Sequence, residues 1–128
     1  MTRLTPERIV YGLAFASDPQ ISPDGGRVAF VISRNAEDTP RQRSAVWLCD
    51  ADGAGLRQIT SGDAAASPRW SPDGARLAFT ATRDGETGIW LLEDRLGEAR
   101  LLTAHRTGIG GLAWSPDGAR LAYAAAFD

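Results

Sequence analysis

Apolar residues recur with a period of two along most of this chain. Within residues 27–33, Val28, Phe30 and Ile32 fall on one face and Ala29 and Val31 on the other, so the segment reads as a strand that both faces drive towards burial. Two further apolar runs, Ala45 to Asp50 (AVWLCD) and Gly88 to Glu93 (GIWLLE), read as strands of one kind, with Trp47 and Trp90 in equivalent places. More polar strands follow each of them, Leu56 to Thr60 (LRQIT) and Ala99 to Thr103 (ARLLT).

Between the strands stands a turn that repeats. Ser-Pro-Asp-Gly occurs at Ser22 to Gly25, Ser71 to Gly74 and Ser115 to Gly118, and each copy leads into Arg, an aliphatic residue, Ala and an aromatic. Proline presets the second turn position, aspartate tolerates the third, and glycine takes the left-handed conformation that closes a hairpin with a bulge. The copies PQISPDGGRVAF, PRWSPDGARLAF and LAWSPDGARLAY align Ile21 with Trp70 and Trp114, and Phe30 with Phe79 and Tyr123. Successive turns lie 49 and then 44 residues apart. The separation is 17 residues from Phe30 to Trp47 but 11 from Phe79 to Trp90, which puts the extra length in one loop, Arg34 to Ser44.

Four strands per unit, apolar inside and polar last, at this period describe the blade of a β-propeller. A β-sandwich uses similar strands but has no reason to repeat its sequence. The chain is therefore expected to be all-β, a partial β-propeller of about two and a half four-stranded blades. Blade 1 covers about 19–62, blade 2 about 67–104 and an incomplete blade 3 about 110–128. Residues 1–18 are a lead-in in which Thr5 caps a short helix from Pro6 to about Leu13, with Pro6 at its first position and Glu7 near the positive end of its dipole. Leu121 to Phe127 should present an unpaired edge, and blade packing should bury Trp47 and Trp90.

Composition narrows the class. The 128 residues are 43% apolar and 23% charged, which is ordinary for a globular domain. The first dozen residues lack the apolar stretch of a signal peptide and no run approaches the ~20 residues that cross a bilayer, so the cytoplasm and no membrane partner are expected. A net charge of −2, with Glu37 and Asp38 set among Arg34, Arg41 and Arg43, argues against nucleic acid as a partner. Cys49 is the single cysteine, which rules out an internal disulfide and a cysteine-rich metal site.

Candidate chemistry is sparse. His105 is the one histidine, and neither a Gly-x-Ser-x-Gly elbow nor a phosphate loop is present. Asp24, Asp73 and Asp117, with Asp52 and Asp84, sit in turns whose geometry accounts for them without calcium. The tryptophans recur at fixed blade positions, as packing residues do. No catalytic, cofactor-binding or metal-ligating residue is assigned, and no cofactor is expected. The charged loop Arg34 to Ser44 is the best candidate for a partner contact.

The opening LTPERIVYGLAFASDPQISPDGGRVAFVISR, with the VWLCDADG and LRQITSGD segments, resembles the amino-terminal part of S9-family serine peptidases, nearest the acylaminoacyl-peptidase branch of the prolyl oligopeptidase clan. Trp-Ser-Pro-Asp-Gly followed by Arg-Leu-Ala-Phe also resembles the WD40-like (PD40) repeats of other propellers, including the Tol-system periplasmic protein. The peptidase resemblance implies a propeller that caps an α/β-hydrolase domain and limits access to its Ser-Asp-His triad. That hydrolase domain is absent from this chain, which then is a non-catalytic propeller fragment whose partners are the hydrolase domain and the parent enzyme's peptide substrate. The alternative is a fragment of a Tol-like or WD-like propeller scaffold for protein–protein interaction.

Overall fold

The computed structural model describes residues 14–35, 42–60, 64–83, 85–93, 98–106 and 108–125, and these hold ten strands. The first unit is β1 (Ala14–Ile21), β2 (Arg27–Asn35), β3 (Gln42–Asp50) and β4 (Arg57–Gln58). The second is β5 (Ala64–Trp70), β6 (Leu77–Arg83), β7 (Glu86–Leu92) and β8 (Arg100–His105). Strands β9 (Ile109–Trp114) and β10 (Leu121–Ala125) begin a third. Consecutive strands within each unit pair antiparallel, and a single parallel bridge, Ser44 to Ala64, ties the first unit to the second. This is a partial propeller of two blades and the opening hairpin of another.

Each Ser-Pro-Asp-Gly turn is built identically. The Gly25 amide donates to the Ser22 carbonyl at 2.8 Å and the Ser22 amide to the Arg27 carbonyl at 2.9 Å, and the same bonds recur from Ser71 and Ser115. The glycines take φ of 74°, 73° and 73°, the left-handed conformation that closes the hairpin. The first strand of every unit also carries an irregularity three residues before the turn serine's neighbour. There Asp18, Ser67 and Gly111, at equivalent positions, have φ of 50°, 57° and 66°. The register of β1 and of β5 shifts at that point, so these are bulges that bend the first strand of each blade.

Alternation along the strands divides the core into two layers. Ala29, Val31, Val46 and Leu48 of blade 1 meet Ala65, Leu77, Phe79, Ala81 and Leu92 of blade 2 in one cluster. Ala78, Ile89 and Leu91, on the opposite face of blade 2, meet Leu112 of blade 3 in the other. The blades therefore stack face to face, with β5 touching both β1 and β9 on the side towards the axis.

Two expectations change, on the loop and on the tryptophans. Strands β2 and β3 run on to Asn35 and Gln42, opposite each other, because the β ladder continues through polar residues; the loop is shorter than Arg34 to Ser44, and 36–41 lie outside the described residues. The expected helix over 6–13 also lies outside them, as do Asp84 and residues 126–128. Trp47 and Trp90 are only partly buried. Trp47 pairs with Phe30 on the face of blade 1 turned away from blade 2, and Trp90 borders an open cavity between the blades.

Candidate functional site

The most highly built region is the seam between the Ser-Pro-Asp-Gly turns of neighbouring blades. Arg27, two residues after the first turn, extends to blade 2, where its Nη2 donates to the Gly74 carbonyl at 2.8 Å and its guanidinium lies 4.6 Å over the Trp70 ring. Trp70 completes the contact by donating its Nε1–H to the Gln20 carbonyl at 2.9 Å. One blade on, Arg76 donates to the Gly118 carbonyl at 2.5 Å and lies 4.9 Å over Trp114, whose Nε1–H reaches the Arg69 carbonyl at 3.0 Å. Each seam thus combines a charge-assisted hydrogen bond, a cation–π contact and an indole hydrogen bond in a fixed direction. Arg27 Nε finds no partner among the described residues, in keeping with a guanidinium held face-on to the indole.

The turn glycines fit this seam for a second reason. A Cβ on Gly74 would stand 3.3 Å from Pro23 Cδ, and one on Gly118 would stand 3.6 Å from both Pro72 Cδ and Arg76 Nη2. Proline and glycine of adjacent turns are therefore in direct contact.

Nearer the axis, Arg69 of β5 binds Asp18 of β1 at 2.9 Å, and Gln20 Nε2 donates to the other Asp18 oxygen at 2.9 Å. Partial burial pushes the Asp18 carboxyl upward, but the hydrogen bonds from Arg69 and Gln20 and the charge of Arg69 outweigh it and hold it below the usual value. The pair joins the first strands of two blades where the bulges bend them.

Two cavities flank these features. One of about 690 Å³ lies between β4 and blade 2, bordered by Arg57, Thr60, Phe79, Arg83, Trp90 and Glu98. There the Arg83 guanidinium lies 5.0 Å over Trp90. The other, of about 330 Å³, lies beside the seam between Gln20, Arg69, Trp70 and Trp114. Both mix cationic, aromatic and amide groups.

The residues singled out for chemistry are dispersed. His105 Nε2 is 3.0 Å from the Tyr123 hydroxyl, with the rings tilted at 5.4 Å, so it links blade 2 to blade 3. Burial, then the charges of Asp50 and Asp52, push the Cys49 thiol up, which keeps it protonated and weakly nucleophilic. Asp24, Asp73 and Asp117 each accept from their turn serine at 2.6 Å and from a backbone amide. The Ser71 hydroxyl and the Ala75 amide lower the Asp73 carboxyl below its usual range, and Ser115 and Ala119 do the same to Asp117. Asp52 accepts from the Ala54 amide at 2.9 Å. Among the described residues no three metal-ligating side chains converge, and no helix is long and apolar enough to cross a membrane.

The sequence reading missed the seam. Its signal was present, since arginine stands two residues after every Ser-Pro-Asp-Gly and tryptophan precedes two of the three, but periodicity gives a strand's faces and not which blade its arginine reaches.

Comparison with known proteins gives one family. Residues 6–127 match the PD40 model, described as the TolB beta propeller domain. Among solved structures, the uncomplexed acylaminoacyl peptidase of Pyrococcus horikoshii superposes with a TM-score of 0.71 at 26% identity, over 84% of this chain and 16% of that one. The β-propeller domain of the trilobed protease from Pyrococcus furiosus, described as having an open velcro topology, gives 0.68 at 24% identity, over 84% of this chain and 32% of that one. TolB from Acinetobacter baumannii gives 0.59 at 22% identity, over 82% of this chain and 25% of that one. In a comparison with curated proteins, nothing matches. The chain spans about a sixth of the length of the acylaminoacyl peptidases that it is similar to.

Proposed function

Because the chain belongs to the TolB-type β-propeller domain family, we propose that it is part of the propeller of an S9-family serine peptidase of the acylaminoacyl-peptidase kind, gating the access of peptides to a separate α/β-hydrolase domain. The observation that carries this reading is the superposition on the acylaminoacyl peptidase of P. horikoshii, better in fit and higher in identity than that on TolB. Membership of the family is by itself a statement of fold.

The geometry supports a wall rather than a catalyst. Seams that fix neighbouring blades at the turns, and the Asp18–Arg69 pair that fixes them near the axis, resist separation of the blades. A wall of that kind excludes folded proteins and admits narrow, extended chains. Hydrolysis belongs to the partner domain, where a serine activated by histidine and an oxyanion site would act together.

The gene's continuation past codon 128 tests this. Further blades followed by a domain with Gly-x-Ser-x-Gly and then Asp and His support the peptidase, and its full-length product should hydrolyse acyl-peptides. Blades alone, then a stop, overturn it. They would favour the second reading, a scaffold that binds other proteins, which the TolB superposition supports.

A further inference from the structure

The cavity of about 690 Å³ lies between blade 1 and blade 2, each of which has all four of its strands. Blade 1 is thin there, because its outer strand β4 is only two residues long, and the wedge between the outer parts of the blades stays open. The blade repeat does not require the chemistry of this wedge. Unit 3 has Phe127 where unit 2 has Arg83, and Arg100, the counterpart of Arg57 in blade 2, is bound at 2.7 Å to Glu93 of its own blade.

The lining is rich in hydrogen-bond donors. Arg57 borders the wedge from blade 1 and Arg83 from blade 2, where its guanidinium lies over the Trp90 ring. Both arginines have other contacts, but five N–H donors on each leave some to give. Thr60 is buried and its hydroxyl accepts from the Val46 amide at 3.1 Å, while no acceptor for its own proton, or for the Trp90 Nε1–H, is found among the described residues. Against these donors Glu98 is the one carboxylate of the described lining. Phe79 and Leu92 add a buried apolar floor.

We propose that this wedge binds an organic carboxylate with an apolar body, its oxygens held between the Arg57 and Arg83 guanidiniums and its body against Phe79, Leu92 and Trp90. Two guanidiniums to one carboxylate select an anion, and the apolar floor favours an organic anion over an inorganic one. The volume is that of a small-molecule site. The proposal depends on neither reading of the parent protein.

The test titrates the whole chain, labelled with nitrogen-15, with 4-phenylbutyrate and with its neutral match 4-phenylbutyramide. The Trp90 indole N–H, assigned through Trp90→Phe, should report a dissociation constant of about 1 mM for the acid, the scale for so small a ligand. The amide should bind about tenfold more weakly, since it forgoes the charge-assisted bonds. Arg57→Gln and Arg83→Gln should each weaken the acid about fivefold and the amide much less, and Glu98→Gln should tighten the acid. Arg100→Gln, outside the wedge, should change neither. The ratio of acid to amide is read on the unaltered chain, so it decides the matter even where a variant fails to fold. Equal binding of acid and amide, a Trp90 signal unmoved far above that concentration, or an acid affinity indifferent to both wedge arginines would each overturn the proposal. A loss from Arg100→Gln as large as theirs would reduce the effect to general charge attraction and overturn it too.

Discussion

Phe30 and Phe79 occupy the same place in the repeat and each stands opposite a tryptophan, yet Phe79 is 2% exposed and Phe30 only half-buried. Gly25 and Gly74 differ in the same way. Their φ angles agree within a degree, but a Cβ at Gly74 meets Pro23, whereas one at Gly25 meets nothing within 4 Å. Ile21 and Trp70 complete the contrast, since only the second receives an arginine. Blade 1 and blade 2 are alike as folded units, so the difference teaches that the aromatic face of a blade's second strand acquires its burial from the blade before it.

Paired substitutions at equivalent sites measure that contribution. Phe79→Ala should destabilise the chain by about 3–5 kcal/mol and Phe30→Ala by about half as much or less, read from urea denaturation. Equal costs would mean that blade 1 contributes nothing to the burial of Phe79. Next in size, Gly74→Ala should cost about 1–2 kcal/mol for the left-handed backbone plus about 1 kcal/mol or more for crowding Pro23, whereas Gly25→Ala incurs the first cost alone. Melting temperatures would resolve the two.

The seam's indole should be worth less. Trp70→Phe keeps a ring under Arg27 but loses the bond to the Gln20 carbonyl, for an expected cost of about 0.5–1.5 kcal/mol. Trp47→Phe, on the free face of blade 1, should cost close to nothing by the same measurement. The smallest effect concerns pH. The Asp73 and Asp117 carboxyls are lowered in the folded chain, so their contribution to stability is present above the unfolded carboxylate pKa and is lost as pH falls through the lower folded value. Ser71→Ala should move Asp73 back up towards the ordinary range and leave Asp117 where it is. An NMR titration of the two carboxyls that found both unchanged would break the link to the turn serine.

Much of this architecture is legible in the sequence because it rests on local rules. Ser-Pro-Asp-Gly dictates a turn through backbone angles that these residues prefer, and Leu77, Phe79 and Ala81 alternate with Ala78 and Thr80 because a strand has two faces. The seam and the Asp18–Arg69 pair were not legible, since they join residues 42 to 51 positions apart. Nothing in either local segment marks which distant carbonyl or ring it will meet. The partial exposure of Trp47 and Trp90 had the same origin. Apolar content identifies a residue that gains from burial, but only the placement of the preceding blade decides whether these two are covered.

The direction of the seams has a consequence for synthesis. A chain is made from its amino end, and Arg27 has its acceptor 47 residues later, at Gly74. At elongation speeds of about 5–20 residues per second, the first blade waits about 2–10 s with a loose cation and an open apolar face. Each blade is then locked by its successor, so folding advances one unit behind the ribosome. A pause in translation just after a turn would leave the nascent chain most exposed to chaperones or proteases at its newest blade, while the blades behind it were already secured.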